Sequence, residues 1–291
     1  MTDSTSVYRT ESSPGPPGYS SHPTSSTRDY LAIEVERRSR RAEMGKVTLS
    51  VLAAIGLLLV IWEIAALIAN SVLFAGPWQT ARATVTLLGG SAIYNALGIS
   101  LEELYIGFLI GAGSGLVIGL LIGNWRAVDR QVRPYVNIGS AIPGIILIPL
   151  CVAWVGVDYK AELLLIILIT IWPVLLNTSA GMENAGKQLA ELGESLRLSQ
   201  WHKFRHLLVP SSAPYILAGL RISIGLGMVG MIIGQLEVHS EGLGFLLGLF
   251  GGQLETAQAL GVVAVTAVIS LINVAVINGA GKLLMPWFSK K

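Results

Sequence analysis

The chain has 291 residues, of which 52% are apolar and 13% charged, with a mean hydropathy of +0.63. Soluble domains carry about 25% charged residues, so this balance excludes an ordinary soluble globule. A formal net charge of +2 is too small to argue for nucleic-acid binding.

The apolar residues are concentrated in runs. Residues 104–125, 134–157, 163–182 and 256–281 contain no Asp, Glu, Lys or Arg. At a rise of about 1.5 Å per residue, 22 helical residues reach about 33 Å, enough for a hydrocarbon core of about 30 Å. A transmembrane β-barrel would need alternating strands of about 10 residues, and the sequence has none. The expected fold class is all-α: a polytopic membrane protein with about six transmembrane helices.

In chain order, residues 1–30 are rich in Ser, Thr, Pro and Gly. They bury too little apolar surface to offset the entropy of ordering, so they read as a disordered tail. Residues 31–46 mix Arg37, Arg38, Arg40, Arg41 and Lys46 with Glu34, Glu36 and Glu43. That pattern fits a basic helix lying on the membrane surface, and equally a solvated charged helix. The membrane domain occupies 47–285, with spans at 47–69, 99–123, 136–156, 162–180, 213–236 and 257–280. The first apolar stretch, from Val47, lies too far in and is too long for a cleaved leader. Residues 71–95 are too polar to span, but a short interfacial helix after Pro77 would place Trp78 among the headgroups.

The basic residues orient the bundle. With the amino terminus in the cytoplasm, 18 of the 20 Lys and Arg fall inside, and Arg82 and Lys160 alone fall outside. Both termini are then cytoplasmic. Cys151, the single cysteine, reads as a small packed hydrophobe.

Gly107, Gly111, Gly115, Gly119 and Gly123 recur every four residues in the second span. Such a stripe stays near one helix face and lets another backbone approach closely. The third span holds Pro143, Gly144 and Pro149, and the fourth holds Trp172 and Pro173. Each proline removes a ladder hydrogen bond, so breaks are expected at both places, either beside a pathway or as packed kinks.

Three motifs carry less than they suggest. Residues 181–187 have phosphate-loop spacing, but Gln188 replaces the hydroxyl residue and a membrane helix precedes them. His202 and His206 share a helix face, but Lys203 stands where a zinc protease needs Glu. Asn177 heads a glycosylation sequon at the cytoplasmic end of a span, where it has no use.

The cytoplasmic loop 183–213 is amphipathic. Leu189, Leu192 and Leu196, then Trp201, Phe204, Leu207 and Leu208, recur at helical spacing among charged residues. The pattern predicts two short helices, separated near 197–199, that present an apolar face to a cytoplasmic partner.

This loop resembles the signature loop of the permease subunits of bacterial ATP-binding-cassette importers, which reads Glu-Ala-Ala, three residues, Gly, nine residues, Ile-x-Leu-Pro. Here it reads Glu191-Leu192-Gly193, Arg197 at the glycine position, then Leu207-Leu208-Val209-Pro210. The segments 219–223, 233–235 and 241–246 are also similar. Within that superfamily the chain looks most like the nitrate, sulfonate and taurine type, through 148–156 and 173–178. Gly193, Arg197 and Gln235 depart from the pattern: the family often has Glu at 235, and Arg197 puts the usual tight turn in doubt, because Gly alone takes positive φ freely.

The resemblance implies a type I importer permease fold and a transport subunit with no ATPase site and no cofactor of its own. ATP and Mg would be bound by a partner ATPase dimer. The other implied partners are a second permease, identical or paralogous, an extracytoplasmic solute-binding protein and membrane lipid, with no nucleic acid. The implied place is the bacterial cytoplasmic membrane, and the implied solute a small anion or organic sulfonate. Glu191, Leu192, Gly193, Leu196, Arg197 and Pro210 would couple to the ATPase. Pro143, Gly144, Pro149, Trp172, Pro173 and Gln235 would shape the pathway. A rival class, an integral-membrane enzyme, would need a catalytic constellation at membrane depth. The sequence has no Gly-x-Ser-x-Gly and no His-Glu-x-x-His, and Glu63, Glu102 and Glu103 can equally be packing anchors. A structural assembly subunit fits the same composition.

Overall fold

The computed structural model describes residues 25–69, 71, 73–238 and 241–284, with backbone alone for 25–45, 48, 187–188, 190–194 and 284. The chain divides into a unit up to Val60 and one from Ile61 onward. Helix α1 is Ser25–Ala69. The tail expected over 1–30 therefore gives way to helix by Ser25, and residues 1–24 lie outside the described part. No separate element marks off 31–46 from the first span.

The remaining elements are α2 (Pro77–Leu88), α3 (Ser91–Asn124), α4 (Arg126–Ala141), a 3-10 turn (Gly144–Leu147), α5 (Ile148–Val155), α6 (Tyr159–Ser195), α7 (Gln200–Lys203), a π turn (Phe204–Leu208), α8 (Val209–Val238), α9 (Leu243–Gly252) and α10 (Thr256–Leu284). No strand occurs among the described residues. Five of these stretches are long and apolar enough to cross a membrane, and α4 with the turn and α5 form a sixth, bent by 95°.

Helix α2 is the short helix expected after Pro77, which sits in its first turn where the missing N–H costs nothing. Its amino terminus is held by Glu63, whose carboxylate accepts from the Trp78 N–H at 3.2 Å, while the Trp62 indole donates to the Ala75 carbonyl at 3.1 Å. Glu63 is thus a tertiary cap, with a negative charge at the positive helix end. Arg82 lies over the Trp78 ring, 5.0 Å from its centroid. Helix α3 begins at Ser91, inside the stretch judged too polar to span.

The core is a three-helix layer, α3 on α6 on α8. The glycine stripe faces α6, and the two helices run parallel. A Cβ at Gly107 would sit 2.6 Å from Ile166, and one at Gly119 2.7 Å from Thr178; Gly111, Gly115 and Gly123 press on Thr170, the Ile171 carbonyl and Met182. Helix α8 packs antiparallel on α6 and also touches α3, with Gly219 against the Pro173 carbonyl and Gly227 against Thr170 and Leu104.

This clamp explains a correction. The break expected at Trp172–Pro173 is absent: α6 continues through Pro173. Gly115 of α3 and Gly219 of α8 both press on the backbone there, so packing outweighs the lost ladder bond. Pro149 is not a kink either, because it stands in the first turn of α5. The break is at Ile142–Pro143, between α4 and the 3-10 turn. Cys151 is buried in an apolar cluster with Ile148, Ala161 and Leu165.

Candidate functional site

Three features follow from this frame: a cleft at the broken span, a turn at one end of the bundle, and a buried polar network at the other.

The cleft has a volume of about 550 Å³ and lies between the end of α4, the 3-10 turn, α6 and α8. Gly144, Trp172 and Pro173 all line it, with Ser140 and Asn177 as its polar side chains and no charged one. Two glycines shape it. A Cβ at Gly144 would stand 2.6 Å from Ile169, and one at Gly139 would run into the Trp172 ring. Gly139 therefore lets α4 close on Trp172; the sequence reading missed it, and its place one helical turn before Pro143 was the available signal. The Asn177 amide donates to the Pro173 carbonyl at 2.8 Å and the Ser140 hydroxyl to the Asn137 carbonyl at 3.3 Å. On α8 the wall is apolar: Ile222, Leu226 and Val229. These recur at helical spacing and stay half-exposed on the open side. Neither Pro143 nor Pro149 lines the cleft, though Pro143 stands between the lining residues Ile142 and Gly144.

Gln235, expected to shape the pathway, does not line the cleft. It is fully buried with Ser100, Glu103 and Glu162. Its amide donates to Glu103 at 2.6 Å, and its oxygen accepts from the Ser100 hydroxyl and the Gly244 N–H, both at 3.0 Å. Ser100 in turn accepts from the Leu243 N–H at 2.9 Å. The amide thus joins α3 and α8 to the amino terminus of α9. Gly242, at φ 118°, makes the turn into that helix directly over the Gln235 side chain. The network satisfies polar groups that would be costly if orphaned in the interior.

At the far end of the bundle, α6 runs straight into the amphipathic loop. The first of the two expected short helices is therefore the end of α6, and the second merges through the π turn into α8. The π turn falls just before Pro210, whose ring and missing N–H disrupt an α ladder. The break falls where expected, at 196–199. Arg197 adopts φ 46°, so the tight turn survives without glycine. That left-handed geometry costs about 1–2 kcal/mol for a residue with a Cβ. Ser199 caps α7, accepting from the His202 N–H at 3.4 Å. Leu196 and Trp201 flank the turn, 58% and 63% exposed, and Trp201 stacks on Phe204 at 5.8 Å. The side chains of Glu191 and Leu192, like Gly193, belong to the stretch described by backbone alone.

Residues 181–187 are helical, with Gly181 packed on Tyr215, so they cradle no phosphate. His202 and His206 stack on each other at 5.9 Å, and no cluster of metal-ligating side chains occurs among the described residues.

Comparison with known proteins agrees with this geometry. The family described as binding-protein-dependent transport system inner membrane component matches residues 115–290. The formylaminopyrimidine transport permease protein ThiX of Halalkalibacterium halodurans is 28% identical, over 81% of this chain and 94% of its own. The taurine transport system permease protein TauC of Escherichia coli is 27% identical, over 83% and 90%. The putative aliphatic sulfonates transport permease protein SsuC of Bacillus subtilis is 27% identical, over 69% and 73%. Among solved structures, an inward-facing MetNI methionine ABC transporter chain aligns with a TM-score of 0.53 at 19% identity, covering 67% of this chain and 95% of that one. It shares the fold. The chain belongs to the family of binding-protein-dependent transport inner-membrane components, the permease subunits of ATP-binding-cassette importers.

Proposed function

We propose that this permease forms half of a solute pathway through the cytoplasmic membrane, with both termini inside, and that a second permease, identical or paralogous, closes the open side of the cleft. A separate ATPase dimer holds ATP and Mg and docks on the turn at Arg197. An extracytoplasmic binding protein delivers the solute to the opposite face. Residues 31–46 rest on the cytoplasmic headgroups. ATP-driven closure of the ATPases pushes on 187–206, and the two permeases rock so that the pathway opens outward.

The observation that carries this reading is the turn itself. Leu196 and Trp201 stand exposed beside Arg197, at the end of a helix that continues without interruption from the cleft wall. Exposed apolar anchors of this kind dominate protein interfaces. Glu191 and Leu192 share that helix end. The test is Glu191→Ala with Leu192→Ser in the purified complex. Loss of the ATPase, or hydrolysis without transport, supports the docking assignment. Retained ATPase with unchanged solute-stimulated hydrolysis refutes it.

The solute is a small anion or organic sulfonate. The names of the taurine and sulfonate relatives support this. Mass spectrometry of the solute held by the purified binding protein tests it. An uncharged heterocycle, such as the compound named for the formylaminopyrimidine relative, would overturn the anion assignment.

A further inference from the structure

We propose that the ion pair between Arg133 and Glu183 is the strut that carries motion of the ATPase-docking turn to the pathway, which makes Arg133 a positioning residue of transport. This rests on the importer reading above.

Arg133 stands on α4 and grips two carboxylates at once. Its Nε donates to Asp129, one turn earlier on the same helix, at 2.5 Å, and its Nη2 donates to Glu183 on α6. A planar guanidinium fork suits such double contacts, and Asp129 already orients the side chain, so little further entropy is lost in reaching Glu183. Both side chains of the inter-helix pair are about two-fifths exposed, 41% and 39%.

The position of the pair gives it mechanical meaning. Glu183 lies on the helix that ends at Ser195, just before the Arg197 turn. A helix of that length, about 18 Å from 183 to 195, moves as a rod. Arg133 lies on the helix whose far end opens onto the 95° bend and the cleft. Contact between α4 and α6 follows one line: Arg133 on Glu183, Val136 beside Leu175, and Gly139 on the Trp172 ring. The last two are apolar packing, which cannot part without opening a void. The ion pair is directional and can break and re-form. It borders a polar cavity of about 600 Å³ that Arg126 of α4 and Lys203 of α7 also line. Lys203 thus offers Glu183 a second cation when the turn shifts. Two discrete pairings of one carboxylate make an element that an end-on push can bias.

The test uses the complete transporter, with its own ATPase and binding protein, in lipid nanodiscs. The readouts are the amount of assembled complex and the ratio of binding-protein-stimulated to basal ATP hydrolysis. Arg133→Gln and Glu183→Gln should each assemble normally and lower that ratio about fivefold. The double variant should be no worse than either single one. Arg133→Lys, which keeps the charge on α4, should restore part of the ratio. Unchanged ratios in both single variants overturn the proposal, as do losses that multiply in the double variant. Failure of both single variants to assemble also overturns it, since the pair would then serve folding. A wild-type complex without stimulation overturns the importer reading itself, and this proposal with it.

Discussion

Replacing Gln235 by Leu tests whether the buried amide holds the bundle together. Leucine nearly matches the volume of glutamine but can neither donate nor accept. Three groups then lose a partner: the Glu103 carboxyl at 2.6 Å, and the Ser100 hydroxyl and Gly244 N–H at 3.0 Å. Ser100 keeps its bond from the Leu243 N–H, so its loss is the smallest. Each orphaned buried group costs about 1–3 kcal/mol, and an ionised one more. Counting Glu103 and Gly244 in full and Ser100 little, the sum is about 2–6 kcal/mol, less roughly 1–2 kcal/mol of added apolar burial. Thermal unfolding of the purified permease in detergent should show a midpoint lower by about 10 °C. Proteolysis should find the segment around Gly242 first, because that turn rests on the lost side chain. A midpoint within about 2 °C of wild type would show that the network contributes nothing net, and the reasoning from unsatisfied groups would be wrong for this site.

Other outcomes follow from the same geometry. Gly115→Leu should abolish assembly of the complex, read by size-exclusion chromatography, because a side chain there strikes the Ile171 carbonyl; Gly113→Leu, with open space around it, should assemble normally. Arg197→Gly should change stability by no more than about 1 kcal/mol, since relief of left-handed strain is offset by glycine's greater chain entropy. Arg197→Val should destabilise the turn and weaken ATPase retention on an affinity column, because a branched residue fits φ 46° poorly. In the orientation proposed above, a cysteine at Leu196 should react with an impermeant maleimide only after the membrane is opened, and one at Gly251 should react in intact cells. Native Cys151, buried, gives little background. The reverse labelling pattern would refute the orientation.

Length and hydropathy alone determined that this chain crosses a membrane as helices, because a span is a local property: about 20 apolar residues with few charges cannot rest elsewhere. The four-residue glycine period was equally legible, since it is written on one helix, and so was the break near Arg197, where the apolar pattern restarts. What each of these meets is not local. That the stripe faces α6 depends on Ile166, Thr170 and Met182, at least 59 residues away in the chain. Pro173 looked like a break because the ladder rule is local, but Gly115 and Gly219 clamp it from two other helices. Gln235 is legible as a polar residue within a span, but its partners Ser100 and Glu103 lie across the bundle. Helix α9 escaped notice because 10 residues are too few to span and are apolar on every side. Its place is set by two N–H groups reaching a serine and a glutamine on other helices. Periodicity records which face of a helix is apolar or small. Only the assembled bundle decides what that face touches, because contacts between segments far apart in the chain leave no mark in either segment alone.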